Sequence, residues 1–155
     1  MIIIGEKING AIPSIKQAIE DHNEELIRER VAAQAAAGAD YIDCAPSTAP
    51  EIEYDTMVWL IDLIQDVTDL PISIDSPNPL LLKRIIEEGR LKRPGMVNSV
   101  NEEGTKCETL FPLIAGTDWQ QSARVVSGPA HPYAGCFPRR RGKNEIGRAS
   151  CRERV

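Results

Sequence analysis

Residues 70–79 read LPISIDSPNP, and this stretch decides the fold class predicted for the chain. The largely apolar run Leu70–Ile74 has the length of a strand and ends on Asp75. A helix is predicted to start directly afterwards, because Asn78 can cap it and Pro79 suits its first turn. A strand that leads through a polar turn into a helix is one unit of an alternating α/β fold.

The same arrangement recurs on both sides of this stretch. Three other apolar runs lead to polar residues: Ile2–Ile4 to Glu6 and Asn9, Tyr41–Ile42 to Asp43, and Met96–Val97 to Asn98. Strands that alternate with helices form parallel sheets, which bind ligands at the carboxyl ends of their strands. One ligand site is therefore predicted to be lined by five polar residues: Glu6, Asn9, Asp43, Asp75 and Asn98.

The pattern alone leaves two architectures open, a doubly wound sheet and a closed barrel. The loop after the first strand, GEKING at residues 5–10, lacks the glycine spacing that brings backbone against a pyrophosphate, so dinucleotide binding is disfavoured. The chain has 155 residues, whereas a complete eight-stranded α/β barrel takes about 250. The chain can therefore hold only part of such a barrel.

Composition and cysteine spacing limit which partners and which cellular compartment are predicted for the chain. Aromatic residues make up 5% of the chain, so base-stacking surfaces and nucleic-acid binding are disfavoured. The start, MIIIGEKING, lacks the basic segment and long apolar stretch of a secretory signal, and no segment has the apolar length of a membrane span. The four cysteines are scattered without CxxC spacing, which predicts free thiols and a cytoplasmic location.

Charge and pattern both change near residue 120. Residues 1–120 carry 10 Lys+Arg and 21 Asp+Glu, whereas residues 121–155 carry 8 and 2, so the net charge changes from −11 to +6. Helical and strand periods are absent beyond Gln121, and residues 146–155, IGRASCRERV, can be back-translated into a sequencing-library adapter. We therefore predict a domain of four βα units over 1–120 and an irregular, non-native tail, frameshifted or adapter-derived, over 121–155. A disordered basic arm is the alternative.

Several segments together resemble one family of pterin-binding enzymes. They lie in order within residues 1–120 and read IIIGEKING, ADYIDCAPSTAPE, TMVWLIDLIQ, PISIDSPNP, MVNSVNEEG and CETLFPLIAGTDW. In this ordered set the chain resembles methyltetrahydrofolate:corrinoid/iron-sulfur protein methyltransferase and the folate-binding module of cobalamin-dependent methionine synthase. The resemblance implies the first half of a (β/α)8 TIM barrel of the pterin-binding type.

The resemblance also implies a reaction in one-carbon metabolism. Methyltetrahydrofolate would give its methyl group to the cobalt of a corrinoid (cobalamin) carried by a partner protein, and no metal is expected to be bound by the chain itself. The resemblance implies that Asp75 and Asn98 hydrogen-bond the pterin ring. A carboxylate can accept from ring N–H groups, while an amide can both donate and accept. A homodimer of the full-length parent is left open.

The roles of the other candidate residues have alternatives. Asp43 ends a buried strand and must have a partner, which is either the pterin or a structural hydrogen-bond network. Glu6 and Asn9 follow the first strand, where they either line the site or belong to a solvated turn. Catalytic residues are not identified, because the family's polar positions on later strands have no counterpart in residues 1–120.

Two other functional hypotheses stand beside methyl transfer. Dihydropteroate synthase shares the barrel and the pterin pocket, but it expels pyrophosphate and needs a loop with glycine and arginine, which CAPSTAPE at residues 44–51 lacks. The second alternative is a truncated gene model without activity, since a half barrel leaves open edges and an uncovered inner face. We expect the chain on its own to be inactive and either insoluble or molten.

Overall fold

A computed structural model describes residues 2–101 and 106–124 of the chain. Within them, strands and helices follow one another in chain order as β1 (Ile4–Asn9), α1 (Pro13–Glu20), α2 (Glu24–Ala36), β2 (Tyr41–Ala45), α3 (Pro50–Val67), β3 (Ile72–Asp75), α4 (Pro79–Glu87), β4 (Met96–Asn101), α5 (Lys106–Ile114) and β5 (Gln120–Arg124). The alternating α/β fold predicted from the sequence is confirmed.

The strands form one parallel sheet in the order β1-β2-β3-β4-β5. Each strand pairs with the next one in the sequence, and β1 and β5 are the edges of the sheet formed by the described residues. Such a sheet, with helices joining successive parallel strands, is compatible with part of an α/β barrel.

The two faces of the sheet differ in chemistry because neighbouring residues of a strand point to opposite sides. One face packs against the helices and is apolar, with Ile42, Cys44, Ile72, Ile74 and Val97 in the main core cluster. The intervening positions point to the other face. Register pairs Asp43 with Ser73, and Asp75 with Asn98, so these polar side chains share the face that has no helices among the described residues.

Helix boundaries follow from local chemistry at several points. Asn78 caps α4, and its side-chain oxygen accepts from the backbone N–H groups of Leu80 and Leu81 at 3.1 and 3.3 Å. Gly38 and Gly89 follow the C-caps of α2 and α4 with φ values of +86° and +63°, which only glycine adopts without strain. The cap predicted at Asn78 is confirmed.

The bounds of four strands differ from the sequence-based prediction. β2 continues past Asp43 to Ala45 and β4 past Asn98 to Asn101, so of the residues predicted to end β2, β3 and β4 only Asp75 does so. β1 begins at Ile4 and ends at Asn9, so Glu6 and Asn9 belong to the strand instead of following it. β5 runs to Arg124 and pairs in parallel with β4, so regular structure continues past the boundary predicted at residue 120. Its sequence, QQSAR, has no apolar alternation, which is why the pattern missed it. The remaining tail, 125–155, lies outside the described residues.

In the part of the chain that the structure describes, no helix combines the length and apolar character needed to cross a membrane.

Candidate ligand site at the carboxyl ends of the strands

Asp75 and Asn98 lie side by side on neighbouring strands. Asp75 is the last residue of β3, and its register partner on β4 is Asn98. The Asp75 side chain is half-buried, whereas Asn98 is 8% exposed. Register partners on parallel strands point to the same face, so the two residues that the family resemblance assigns to the pterin are brought together.

A buried hydrogen bond joins Asp43 to Asn98 across the face of β3. The Asn98 Nδ2 group donates to Asp43 Oδ1 at 3.2 Å, and Asp43 is only 2% exposed. The bond uses one of the two N–H donors of the amide. Asp43 therefore has the structural partner that a buried carboxyl group requires, and this partner is itself a candidate ligand-binding residue.

The environment of Asp43 raises its pKa to about 6 from the ordinary value of 3.8. Burial is the main cause, since it disfavours the charged form, and the nearby carboxylates of Asp75 and Glu6 act in the same direction. The Ser73 hydroxyl and the Asn98 amide oppose this rise by favouring the ionised form. Near neutral pH the group can therefore exchange a proton within the site.

Ser73 contributes a buried hydroxyl group to the same face. It is fully buried, stands opposite Asp43 in the register and lies two positions before Asp75. The nearby Ser73 hydroxyl lowers the pKa of Asp43. The Ser73 Oγ atom nevertheless forms no hydrogen bond of suitable distance and angle with any described residue. Ser73 was not predicted as a site residue, although the alternation in ISID at residues 72–75 places it on the same face as Asp75.

Glu6 points into this region because β1 contains a bulge. The register with β2 shifts between Gly5 and Ile8, so that Glu6 and Lys7 together oppose Asp43. Gln34 of α2 provides a hydrogen-bond partner for the backbone of the bulge, since its Oε1 accepts from the backbone N–H of Lys7 at 2.7 Å. The Glu6 side chain is exposed, and its charge acts on Asp43.

Asn9 is engaged in the loops above the sheet. Its Oδ1 accepts from the Ala11 backbone N–H at 2.8 Å and from the Ser47 hydroxyl at 3.3 Å, which ties the loop after β1 to the loop after β2. The two loops also touch at Gly10, where a Cβ atom would lie 1.9 Å from the backbone oxygen of Pro46. Contact of Glu6 or Asn9 with a pterin stays a prediction.

Further side-chain bonds tie the later loops together. Glu53, in the first turn of α3, accepts from the Ser76 hydroxyl at 2.7 Å, and Lys106 of α5 donates to the Ser76 carbonyl oxygen at 3.3 Å. Glu53 and Ser76 are 6% and 1% exposed. The predictions missed both residues. The sequence did contain a sign that Glu53 is buried. Glu53 precedes Met57 by one helical turn and so lies on the buried stripe of α3.

The arrangement presents mainly hydrogen-bond acceptors to the open face. Asp43, Asp75 and Glu6 supply carboxyl groups, while Asn98 supplies an amide already oriented by one bond to Asp43. Such a set suits a planar ligand that carries adjacent N–H donors, as a pterin does. No group of three or more His, Cys, Asp or Glu side chains within residues 2–101 and 106–124 is arranged to hold a metal ion.

Comparison with known proteins shows a similarity to a curated methyltransferase. No protein-family model matches the chain. The chain is 47% identical over 134 residues to the Methylcorrinoid:tetrahydrofolate methyltransferase of Eubacterium limosum. The match covers 85% of this chain and 49% of that protein, so the chain spans about half the length of this curated relative. Since 85% of 155 residues is about 132, the matched region includes residues beyond 120.

Proposed function

We propose that this chain, which is 47% identical to a Methylcorrinoid:tetrahydrofolate methyltransferase, belongs to the methyltetrahydrofolate:corrinoid methyltransferase family, and that the protein it is part of moves a methyl group between a tetrahydrofolate and the cobalt of a corrinoid. The observation that carries the proposal is the convergence of Asp43, Asp75 and Asn98 on the polar face of the sheet. The similarity to the Eubacterium limosum protein supports it independently.

Asp75 and Asn98 are proposed to hold the pterin ring. The carboxylate of Asp75 accepts from ring N–H groups, and the Asn98 amide adds a second polar contact whose direction is fixed by Asp43. Two contacts from neighbouring strands fix the rotation of the ring in its own plane. The ring position then decides where the methyl-bearing nitrogen lies relative to the cobalt.

The acidic character of the site suits the chemistry of that nitrogen. A methyl group leaves an amine nitrogen more easily when positive charge on the nitrogen is stabilised, and carboxylates supply such stabilisation. Asp43, Asp75 and Glu6 place negative charge on the open face. The corrinoid, carried by a partner protein, supplies the cobalt centre that takes or gives the methyl group.

The direction of transfer is open within this proposal. The resemblance seen in the sequence implies transfer from methyltetrahydrofolate to the corrinoid, whereas the name of the relative runs from methylcorrinoid to tetrahydrofolate. Both directions share one transition state, so the same residues serve either of them. The concentrations of the four reactants in the cell then set the net direction.

We further propose that the described sheet is the amino-terminal half of a (β/α)8 barrel in a cytoplasmic enzyme. The strand order and the all-parallel pairing support this, as does the length match to half of the relative. The missing half would close the barrel and supply further polar residues opposite β1–β4. The 155-residue chain by itself is accordingly proposed to be inactive.

The test is methyl transfer by the full-length protein with a corrinoid protein, followed by the absorbance change of the corrinoid in both directions. We expect transfer by the wild type, and a rise of about tenfold or more in the Kd for tetrahydrofolate in Asp75→Asn and Asn98→Ala, since each loses a polar contact. Asp62→Asn, which changes an exposed aspartate of α3, serves as the control and should bind normally. Absence of transfer in both directions would refute the proposal.

Dihydropteroate synthase activity is the disfavoured alternative. The loop between β2 and α3 contains neither glycine nor arginine and carries Glu51 in the first turn of α3, so it is poorly suited to a pyrophosphate group. Titration of the full-length protein with a dihydropterin pyrophosphate separates the two functions. Binding tighter than that of tetrahydrofolate would favour the synthase.

A further inference from the structure

We propose that Glu53 and Ser76 are positioning residues that hold Asp75 in its ligand-binding orientation; this rests on the proposed function, because it assigns a task within the same site. Asp75 ends β3, and Ser76 follows it directly. Fixing the residue that follows the end of a strand restricts the backbone that carries the strand's last side chain. The contacts of Ser76 therefore bear on Asp75.

Ser76 is anchored at three points. Its hydroxyl donates to Glu53 Oε1 at 2.7 Å and accepts from the backbone N–H of Asn78 at 3.0 Å. Its carbonyl oxygen accepts from Lys106 Nζ at 3.3 Å. These bonds constrain both the side chain and the backbone of the residue at which the chain leaves the sheet.

Glu53 is an unusual residue for its place on α3. It is 6% exposed in the first helical turn, on the stripe that continues as Met57, Leu60, Ile61 and Ile64 in the core. Burying a carboxyl group is unfavourable unless a hydrogen bond compensates, and the short bond from Ser76 provides this. An apolar residue would suit packing better, so the carboxyl group at this position points to a role in holding the loop.

The Glu53–Ser76 bond completes a series of links between successive loops. Asn9 and Ser47 join the first loop to the second, Glu53 and Ser76 join α3 to the loop after β3, and Lys106 joins that loop to α5. Asp75 precedes the residue at which two of these links meet. A substitution of Glu53 is therefore expected to weaken ligand binding by displacing Asp75.

The experiment measures tetrahydrofolate affinity and thermal stability in the full-length protein. We expect Glu53→Ala and Ser76→Ala each to raise the Kd about tenfold, because a misplaced binding group loses much of its contact. Glu53→Gln keeps an oxygen that accepts from Ser76 and should stay within about threefold of the wild type. The matched control is Glu51→Ala, an exposed glutamate in the same helical turn, which should leave the Kd unchanged.

A second background separates positioning from general stability. In the Asp75→Asn protein, Glu53→Ala should add less than about a twofold change in Kd, since the group it positions has already been altered. If Glu53→Ala does not fold, Ser76→Ala is measured in both backgrounds with the same expectation. The inference is wrong if these variants lower the melting temperature without changing the Kd, or if they raise the Kd equally in both backgrounds.

The same measurements separate a failure of this inference from a failure of the proposed function. A wild-type protein that binds no tetrahydrofolate overturns both. A wild-type protein that binds it, with binding weakened by Asp75→Asn but unaffected by Glu53→Ala and Ser76→Ala, overturns the positioning role alone.

Discussion

Asp43 shows how a residue of the candidate site can lower the stability of the fold. Its carboxyl group is almost fully buried and accepts a single described hydrogen bond, from Asn98. Burial raises its pKa to about 6, which means that the folded protein holds the proton more tightly than the unfolded chain does. The folded state is therefore penalised as pH rises from about 3.8 through about 6, and the penalty is complete above that range.

Asp43→Asn is expected to make the full-length protein more stable at pH 7, by up to about 3 kcal/mol, because the neutral amide can still accept from Asn98 without a buried charge. The gain should shrink as pH falls toward about 4, where the wild-type carboxyl group is protonated in both states. Denaturant unfolding at several pH values measures it, with Asp62→Asn as a control for the loss of a carboxylate at an exposed position. A less stable variant at pH 7 would show that contacts of the carboxylate outweigh its burial.

The sequence predicted the candidate site residues that interrupt apolar runs, and it missed Ser73 and Glu53. Asp43, Asp75 and Asn98 stand out because each interrupts an apolar run, and the structure brings them together. Ser73 and Glu53 lie inside β3 and α3, where a polar residue on a buried face looks like ordinary variation until the register is known. A polar residue such as Ser73, which stands between two apolar residues of a short strand, can be assigned to the site only once the register is known.

At the scale of elements, a network of charged and aromatic side chains joins α3 to α4. Glu88, the C-cap of α4, accepts from Arg84 Nε at 2.7 Å, from Arg90 Nε at 2.8 Å and from the hydroxyl of Tyr54 on α3. The guanidinium of Arg84 lies 3.6 Å from the centre of the Tyr54 ring. The Tyr54 hydroxyl, followed by the two arginines, lowers the pKa of Glu88 to about 2.

Glu88→Gln is expected to lower the melting temperature of the full-length protein by about 2 °C at pH 7. Because the pKa is lowered on folding, the stabilisation is present above about 4.5 and is lost as pH falls toward about 2, so the gap to the wild type should narrow in acid. Glu87→Gln is the control, since its carboxylate only pairs with Lys83 at 3.7 Å on the surface. An equal loss in both variants would show that the network adds nothing beyond a surface ion pair.

The sequence predicts most clearly the helices and strands that bury one apolar face and have turn residues at their ends. α3 and α4 carry apolar residues at helical spacing, and Met57, Leu60 and Ile85 of these stripes are buried. α2 carries a weaker signal, because alanines such as Ala33 are exposed whereas Ile27 and Val31 are buried. Alanine is common on both faces of a helix and gives a weak signal.

At the scale of the whole molecule, the sheet formed by the described residues has two different faces. Helices pack against the apolar face, and the polar face with Asp43, Asp75 and Asn98 has no covering layer among the described residues. The backbone groups of β1 and β5 at the two edges lack a further strand within that part of the chain. An uncapped parallel sheet of this kind invites association with other chains.

The isolated 155-residue chain is therefore expected to lack a cooperative thermal transition, to bind a hydrophobic dye and to transfer no methyl group, whereas the full-length protein unfolds cooperatively. Calorimetry and dye fluorescence measure the first two properties, and the corrinoid assay measures the third. The control is the same chain ending at Arg124, which tests whether the tail alone causes the behaviour. A sharp transition together with methyl transfer by the 155-residue chain would contradict this expectation.

The sequential strand order bears on how the chain is made. Every strand pairs with a neighbour that leaves the ribosome immediately before or after it, so each new βα unit can dock on an edge that is already synthesised. Only the final joining of the first strand to the last, in the proposed barrel, brings together segments far apart in the chain. The order in which the strands are synthesised is thus the order in which they pair. The closure of the proposed barrel comes last and has most of the entropic cost of loop closure.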